Sequence, residues 1–309
     1  MSSIAEGILI FAAISETILG VLANGFIGLV NCVYCVKYKK FSTIDFILTG
    51  LAISRIFLIW LIITDGFMRI FSTNTYPYDN VVHCISYLWV LINQSSVWFA
   101  TSLSIFYFLK VANFSHHVFL WLKGRISVVL PLLLGSLLIS WLLTFSQLAE
   151  ILNDHRWTYR NSTWFFNMSR SQFFIKQILL NLGVIFYFIL SLVTCFLLIF
   201  SLWRHNRRMQ LTLTGLRDTN TEAHMRAMRV LVSFIILFIL YFIGVSIETM
   251  SFTVPENRLL FIFGMTTSTI YPSVHSLIII VGNSKLKQAF LRVLLQLRCC
   301  KKGKIVRTT

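Results

Sequence analysis

Charge is what this chain lacks most. Only 12% of its 309 residues are Asp, Glu, Lys or Arg, and only 11 are acidic. A water-soluble chain of this length needs far more polar surface than that, which excludes an ordinary soluble globular domain. With 57% hydrophobic residues, four prolines and a mean hydropathy of +0.77, the composition is that of a membrane protein. Chemistry-bearing motifs are missing too. There is no Gly-rich phosphate loop, no His/Cys cluster with zinc spacing and no HExxH helix, so the reading is of a non-enzyme without metal or cofactor. The last long apolar run contains no lysine, which excludes a retinal Schiff base there. The six cysteines form no framework: Cys32, Cys35 and Cys195 lie within apolar runs, Cys84 opens another, and the loop 149–176 offers it no partner. No intrachain disulfide is expected. The N-terminus lacks a basic leader, and Glu6 and Glu16 flank the first apolar residues, so the first span is expected to be its own insertion signal.

What the chain does have is seven apolar stretches, near 7–36, 46–67, 84–111, 126–148, 177–203, 230–252 and 259–281, with no soluble domain between them. At ~1.5 Å rise per residue each is long enough to cross the ~30 Å hydrocarbon layer. The fold class read from this pattern is an all-α seven-transmembrane helix bundle, one domain over 1–309, with a cytoplasmic tail at 282–309. Net charge is +16, but its placement argues against nucleic acid. Lys37, Lys39 and Lys40 fall on one side of the spans, with Lys110, Lys123 and Arg125. The same side holds Arg204, Arg207, Arg208, Arg217, Arg226 and Arg229, then eight more basic residues after the last span. By the positive-inside rule that side is cytoplasmic, which puts the N-terminus outside and the C-terminus inside, in a multi-pass plasma-membrane protein. Asn161-Ser-Thr and Asn167-Met-Ser fall on the outer side and are candidate glycosylation sites. Asn93-Gln-Ser and Asn113-Phe-Ser, one in the membrane and one cytoplasmic, should be silent.

The third stretch organises the rest. Trp89, Asn93 and Gln94 share one sector near its outer end, where an indole and two amides are costly to leave in lipid and should face the bundle interior. Two readings stay open: amides that join helices, or a wall facing a ligand. Arg55 lies ~13 Å deep in the second span, where an unpaired guanidinium costs at least ~2.5–3.5 kcal/mol. Its acceptors are expected among Asn24 of the first span and Ser276 or the carbonyls near Pro272 of the seventh. A latch joining three helices and a switch are both open for it.

Asp65 and Gly66 lie near the outer end of span two, and Glu248 near that of span six; the two carboxylates either snorkel into water or pair with a cationic ligand. Tyr241, Val245 and Glu248 follow one helical face, and Met265 and Ser268 lie in the seventh span, which Pro272 should kink before His275. A lone histidine on an apolar helix reads as a hydrogen-bonded structural group. The basic loop 204–229 meets anionic headgroups, docks a cytoplasmic partner together with 113–123, or does both. Residues 285–297 alternate basic and apolar side chains at helical spacing, predicting a short amphipathic helix along the inner leaflet. Beside it, Cys299 and Cys300 are candidates for lipidation.

Several of these residues together resemble the type 2 bitter taste receptors, over nearly the whole chain. They are Leu51-Ala-Ile-Ser-Arg55, Trp98 with Phe106-Tyr107-Phe-Leu-Lys110, Val111-Ala-Asn-Phe-Ser115 and Leu198-Ile-Phe-Ser201-Leu202. Tyr271-Pro272-Ser-Val-His275-Ser276 and Gly282-Asn-Ser-Lys-Leu-Lys287 complete the set. The Asp-Arg-Tyr and Asn-Pro-x-x-Tyr signatures of rhodopsin-like receptors are absent, as in that family; Ile279 stands where the family pattern has Leu. The resemblance implies capture of small bitter agonists in a pocket open to the outside, with Trp89 and Asn93 as principal contacts and Tyr241, Glu248 and Met265 lining it. Many relatives carry a Trp at the top of span two where this chain has Gly66, a change that would enlarge the pocket or shift its preference. It further implies coupling to a gustducin-type heterotrimeric G protein and one N-glycan, with Asn161 the first choice. The alternatives weighed are a vomeronasal type 1 pheromone receptor and a small-solute transporter, though the internal repeat common in transporters is not seen.

Overall fold

In the computed structural model, the residues described are 2–39, 42–71, 80–112, 117–161, 181–212, 219–251 and 258–305, and they are almost wholly helical. In chain order they form α1 (Ser2–Tyr38), α2 (Thr43–Phe71), α3 (Asn80–Val111), α4 (His117–Gly124) and α5 (Ile126–Asn161). Then come α6 (Leu182–Thr212), α7 (Thr219–Ser251), α8 (Arg258–Gly282) and α9 (Ser284–Ile305). Seven of these correspond to the expected spans; α4 follows α3, and α9 is the expected amphipathic tail helix.

Segments Ile4–Tyr38, Thr43–Met68, Val128–Ser146 and Leu182–Arg204 are long and apolar enough to cross a membrane, and Val232–Glu248 is a shorter apolar helix. α3 and α8 are more polar for a physical reason. Their Asn, Gln, Ser and Thr side chains, Asn93, Gln94, Ser96, Thr101, Thr266, Ser268 and Thr269 among them, are buried against protein and not lipid. α8 packs on α7 and α1, and α3 on α2 and α6, so these two helices form the interior of the bundle.

Three boundaries differ from the sequence reading. α5 continues to Asn161, well past 148, so residues 149–161 are helical rather than loop. α6 runs to Thr212 and α7 starts at Thr219, so most of the expected basic loop 204–229 is helix. Arg, Gln, Glu and Met are good helix formers, so a helix already nucleated in the membrane continues into water until a breaker stops it. Neither proline breaks its helix: Pro131 lies inside α5 and Pro272 inside α8.

The inner end of the bundle is tied by one acidic residue. Ser42 and Asp45 form a reciprocal cap at the start of α2: the Asp45 amide donates to Ser42 Oγ (3.2 Å), and Ser42 Oγ donates to Asp45 Oδ2 (2.7 Å). The other carboxylate oxygen, Oδ1, accepts Lys285 Nζ of α9 at 2.7 Å, and the same ammonium lies 3.9 Å from the Tyr34 ring centroid of α1. Asn283 Oδ1 caps α9 by accepting the Lys285 amide (3.0 Å), and Leu286 is fully buried. Asp45→Ala keeps the amide that donates to Ser42 but loses the carboxylate's bonds to Ser42 and Lys285, and is expected to cost about 1 kcal/mol. It should also raise amide exchange in the first turns of α9; exchange unchanged there would mean that Leu286 alone holds the helix.

Candidate functional site

Two polar layers cross the bundle. The outer one is built on α3. Asn93 is buried, and its Oδ1 accepts the hydroxyl of Tyr241 from α7, itself 1% exposed. Tyr241 stands in an aromatic group, 5.4 Å from Tyr271 and 5.6 Å from Phe242 between ring centroids. One turn outward from Asn93, Trp89 is half-buried against an apolar cluster of Ala13, Leu58, Ile62, Phe261, Ile262 and Met265. Thus Trp89 and Asn93 lie on one face at the junction of α1, α2, α7 and α8.

Gln94 goes elsewhere. Its Nε2 donates to Ser140 Oγ of α5, and Thr144 Oγ1 donates to its Oε1 at 3.5 Å. A Cβ on Gly183 of α6 would collide with the Gln94 amide and with Ser140, so the missing side chain makes room for this contact. Of the two readings, Gln94 joins helices. Gln94 thus turns to α5 and Asn93 to α7, because adjacent positions on a helix point about 100° apart.

Met265 and Ser268 are buried on α8, with Ser268 Oγ bonded to the Met265 carbonyl of its own helix (2.9 Å). Met265 also explains Gly66: its sulfur occupies the place a Cβ on Gly66 would take. The room left by an absent side chain there is filled by a thioether. Val245, Glu248 and Asp65 are partly buried at the same outer level.

The seam between α7 and α8 is main chain on main chain. A Cβ on Gly244 would come within 2.6 Å of the Ser268 amide nitrogen, and one on Gly264 within 2.7 Å of the Glu248 nitrogen. Sequence reading passed over both glycines, since a glycine in an apolar run does not reveal what approaches it.

The inner polar layer centres on Arg55, which is completely buried. Its Nη1 donates to Ser276 Oγ (3.1 Å) and its Nη2 to His275 Nδ1 (2.6 Å). The guanidinium lies 4.7 Å from the centroid of the Tyr271 ring. Because Arg can only donate, His275 accepts at Nδ1 and carries its proton on Nε2. The single Ser276 hydroxyl proton is shared between Asn24 Oδ1 (2.7 Å) and the Pro272 carbonyl (2.8 Å), and Asn24 Nδ2 reaches the Gly20 and Pro272 carbonyls (2.8 and 3.1 Å). The expected acceptor Ser276 is found. Asn24 meets Arg55 only through Ser276, and His275 is the acceptor that was not foreseen.

Tyr271 links the layers, its ring stacked on His275 on one side and near Tyr241 on the other. Another residue missed in the sequence is Asn31, buried two turns inward from Asn24, with neither amide atom hydrogen-bonded among the described residues. No pattern around it flagged its burial.

The remaining expected residues lie toward the inner end or outside the described set. Trp98, completely buried, donates its indole N–H to the Leu133 carbonyl of α5 (2.8 Å). Tyr107 packs edge-on to Phe106, Lys110 is exposed with its ammonium 5.7 Å from the Phe106 ring centroid, and Ser201 is buried on α6. Asn161 is the last residue of α5; Asn167 lies outside the described residues, as do the side chains of Cys84, Cys299 and Cys300. Cys32, Cys35 and Cys195 are free thiols. Among the described residues no group of His, Cys, Asp and Glu could hold a metal ion.

Comparison with known proteins agrees with this architecture. A family model described as taste receptor protein (TAS2R) matches residues 1–298. The chain is 65% identical over 309 residues to the human taste receptor type 2 member 10, covering 100% of both chains. It is 66% identical over 304 residues to that of Pongo pygmaeus, covering 98% of each. To the mouse taste receptor type 2 member 114 it is 50% identical over 309 residues, again covering 100% of both. A family match over nearly the whole length, with relatives this similar, settles membership: the chain belongs to the TAS2R family of bitter taste receptors, seven-helix, multi-pass membrane receptors that act through G proteins and are not enzymes.

Proposed function

We propose that this receptor takes its bitter agonists at the outer end of α3, where Trp89 and Asn93 face α7 and α8, and signals through a gustducin-type heterotrimeric G protein. The observation that carries the proposal is the hydrogen bond from the Tyr241 hydroxyl to Asn93 Oδ1. Both residues are buried, so neither group can exchange its partner for bulk water without cost. An amphipathic ligand that stacks on Trp89 and offers its own donor to Asn93 competes with Tyr241 for that oxygen. The freed phenol then takes a new position, and Tyr271 and the Arg55 layer beneath it respond.

A ligand achieves this only by binding one arrangement of α3, α7 and α8 better than the other. Asp65, Gly66, Val245, Glu248, Met265 and Ser268 complete the outer surroundings of this site, with Met265 the most adaptable of them. Gln94 stabilises the wall from behind through Ser140. A glycan on Asn161 at the outer end of α5 serves delivery to the surface, and the inner ends of α6 and α7 with α4 form the face offered to the G protein.

Asn93→Ala is expected to shift agonist concentration–response curves about 5- to 150-fold to higher concentration, the value of one lost buried hydrogen bond of ~1–3 kcal/mol, with surface levels unchanged. Tyr241→Phe keeps the ring and frees Asn93 Oδ1, so it should raise basal activity. Unaltered potency of Asn93→Ala across a broad agonist panel would remove Asn93 from the site. Calcium responses that persist without any matching G protein would refute the coupling.

A further inference from the structure

A second site faces the membrane. Between α4, α5 and α6 runs an apolar groove of about 250 Å³, lined along α5 by Val128, Val129, Leu132 and Leu133 and on α6 by Phe186 and Leu190. It exists because α5 rests on α3 and is not among the principal packing partners of α6. The deep end is closed by a bonded pair, the Tyr187 hydroxyl donating to Ser136 Oγ (3.2 Å), while Ser136 Oγ donates to the Leu133 carbonyl (2.7 Å). From Arg125 to Ser136 along α5 is ~16 Å at ~1.5 Å per residue, about half the hydrocarbon thickness.

The inner mouth is different in kind. Arg125 is exposed there, its guanidinium 5.1 Å from the centroid of the exposed Trp121 ring, and no carboxylate among the described residues neutralises it. The neighbouring cation is already committed: Lys123 Nζ donates to the Ala112 carbonyl at 3.0 Å. The groove therefore combines a cation that no described carboxylate neutralises, at the cytoplasmic headgroup level, with an apolar channel one leaflet long.

We infer that the groove binds an acidic glycerophospholipid of the cytoplasmic leaflet, its phosphate-bearing headgroup at Arg125 and Trp121 and one acyl chain lying between α5 and α6. An acyl chain gains little by leaving bilayer hydrocarbon for a protein groove, because both are apolar. Selection must come from the headgroup, and one basic residue near the surface is worth about fivefold in favour of an anionic over a zwitterionic lipid.

The full-length receptor, in phosphatidylcholine nanodiscs, would be labelled with phosphatidylserine or phosphatidylcholine carrying a photoreactive acyl chain, and the adducts mapped. Phosphatidylserine is expected to label Leu132, Leu133, Phe186 or Leu190 about fivefold more than phosphatidylcholine does. Arg125→Ala should abolish that preference and Arg125→Lys should keep most of it. Leu132→Trp, which fills the channel from a lipid-exposed position, should lower labelling by both lipids. Soluble glycerophosphoserine should not compete. Competition by it would identify an anion site without a lipid chain and overturn the proposal. So would equal labelling by the two lipids, or a preference unaffected by Arg125→Ala.

Discussion

Ser276→Ala is expected to lower the amount of folded receptor at the cell surface severalfold, more than any other deletion of a single oxygen in the bundle. Ser276 Oγ is at once the acceptor for Arg55 and a donor whose single proton is shared between Asn24 Oδ1 and the Pro272 carbonyl. Pro272 keeps its bond from Asn24 Nδ2, but Arg55 Nη1 and Asn24 Oδ1 lose theirs. Each stranded group costs ~1–3 kcal/mol, and a stranded donor on a buried cation lies at the upper end of that range. Ser15→Ala is the control: its hydroxyl serves only its own exposed helix turn and should be silent.

Arg55→Leu should behave differently, because it takes the charge away and leaves two neutral acceptors, His275 Nδ1 and Ser276 Oγ, without their donor, while the Ser276 hydroxyl keeps its own acceptors. That variant is expected to reach the surface and fail to signal, the outcome that makes Arg55 a switch. Retention inside the cell, measured by surface labelling against total receptor, would make it a latch.

Gly244→Ala is expected to be the most damaging addition of one methyl group. The new Cβ would meet main chain, the Ser268 nitrogen at 2.6 Å and the Gly264 carbonyl oxygen at 3.0 Å, and neither can step aside as a side chain does. Overpacking of this sort costs ~1–3 kcal/mol or more. α7 and α8 must part, and the Tyr241–Tyr271 contact that depends on their spacing goes with them. Gly135→Ala offers the contrast, for nothing lies within 4 Å of its Cβ position. It should be neutral or stabilising by ~0.5–1 kcal/mol through the helix preference for Ala. Thermal unfolding of the two purified variants decides the matter: equal midpoints would show that the seam tolerates a methyl group.

Much of this was legible in the sequence because lipid is an unforgiving solvent. A buried cation such as Arg55 must have acceptors, so its depth alone put Ser276 among the candidates, beside Asn24 and the carbonyls near Pro272. Seven apolar runs and the side on which the basic residues gather likewise followed from the cost of placing charge in hydrocarbon. What stayed hidden depends on direction and not on depth. Gln94 and Asn93 are adjacent and chemically alike, yet one turns to Ser140 and the other to Tyr241. His275 read as a generic structural histidine because nothing in the sequence places its Nδ1 against a guanidinium. The ends of α5, α6 and α7 ran past the apolar stretches because hydropathy reports where the membrane stops, and a helix need not stop there.

The paired glycines of α7 and α8 carry a mechanical corollary. Helices that meet through side chains can slip past one another by exchanging rotamers, but a joint made of two backbones has no rotamers to exchange. Gly244 seats the main chain of Ser268 while Gly264 seats that of Glu248, two notches roughly a helical turn apart that key the strands of the joint in register. Axial sliding would have to lift one helix out of both notches together, so the pair travels as a single rigid strut whenever either member moves.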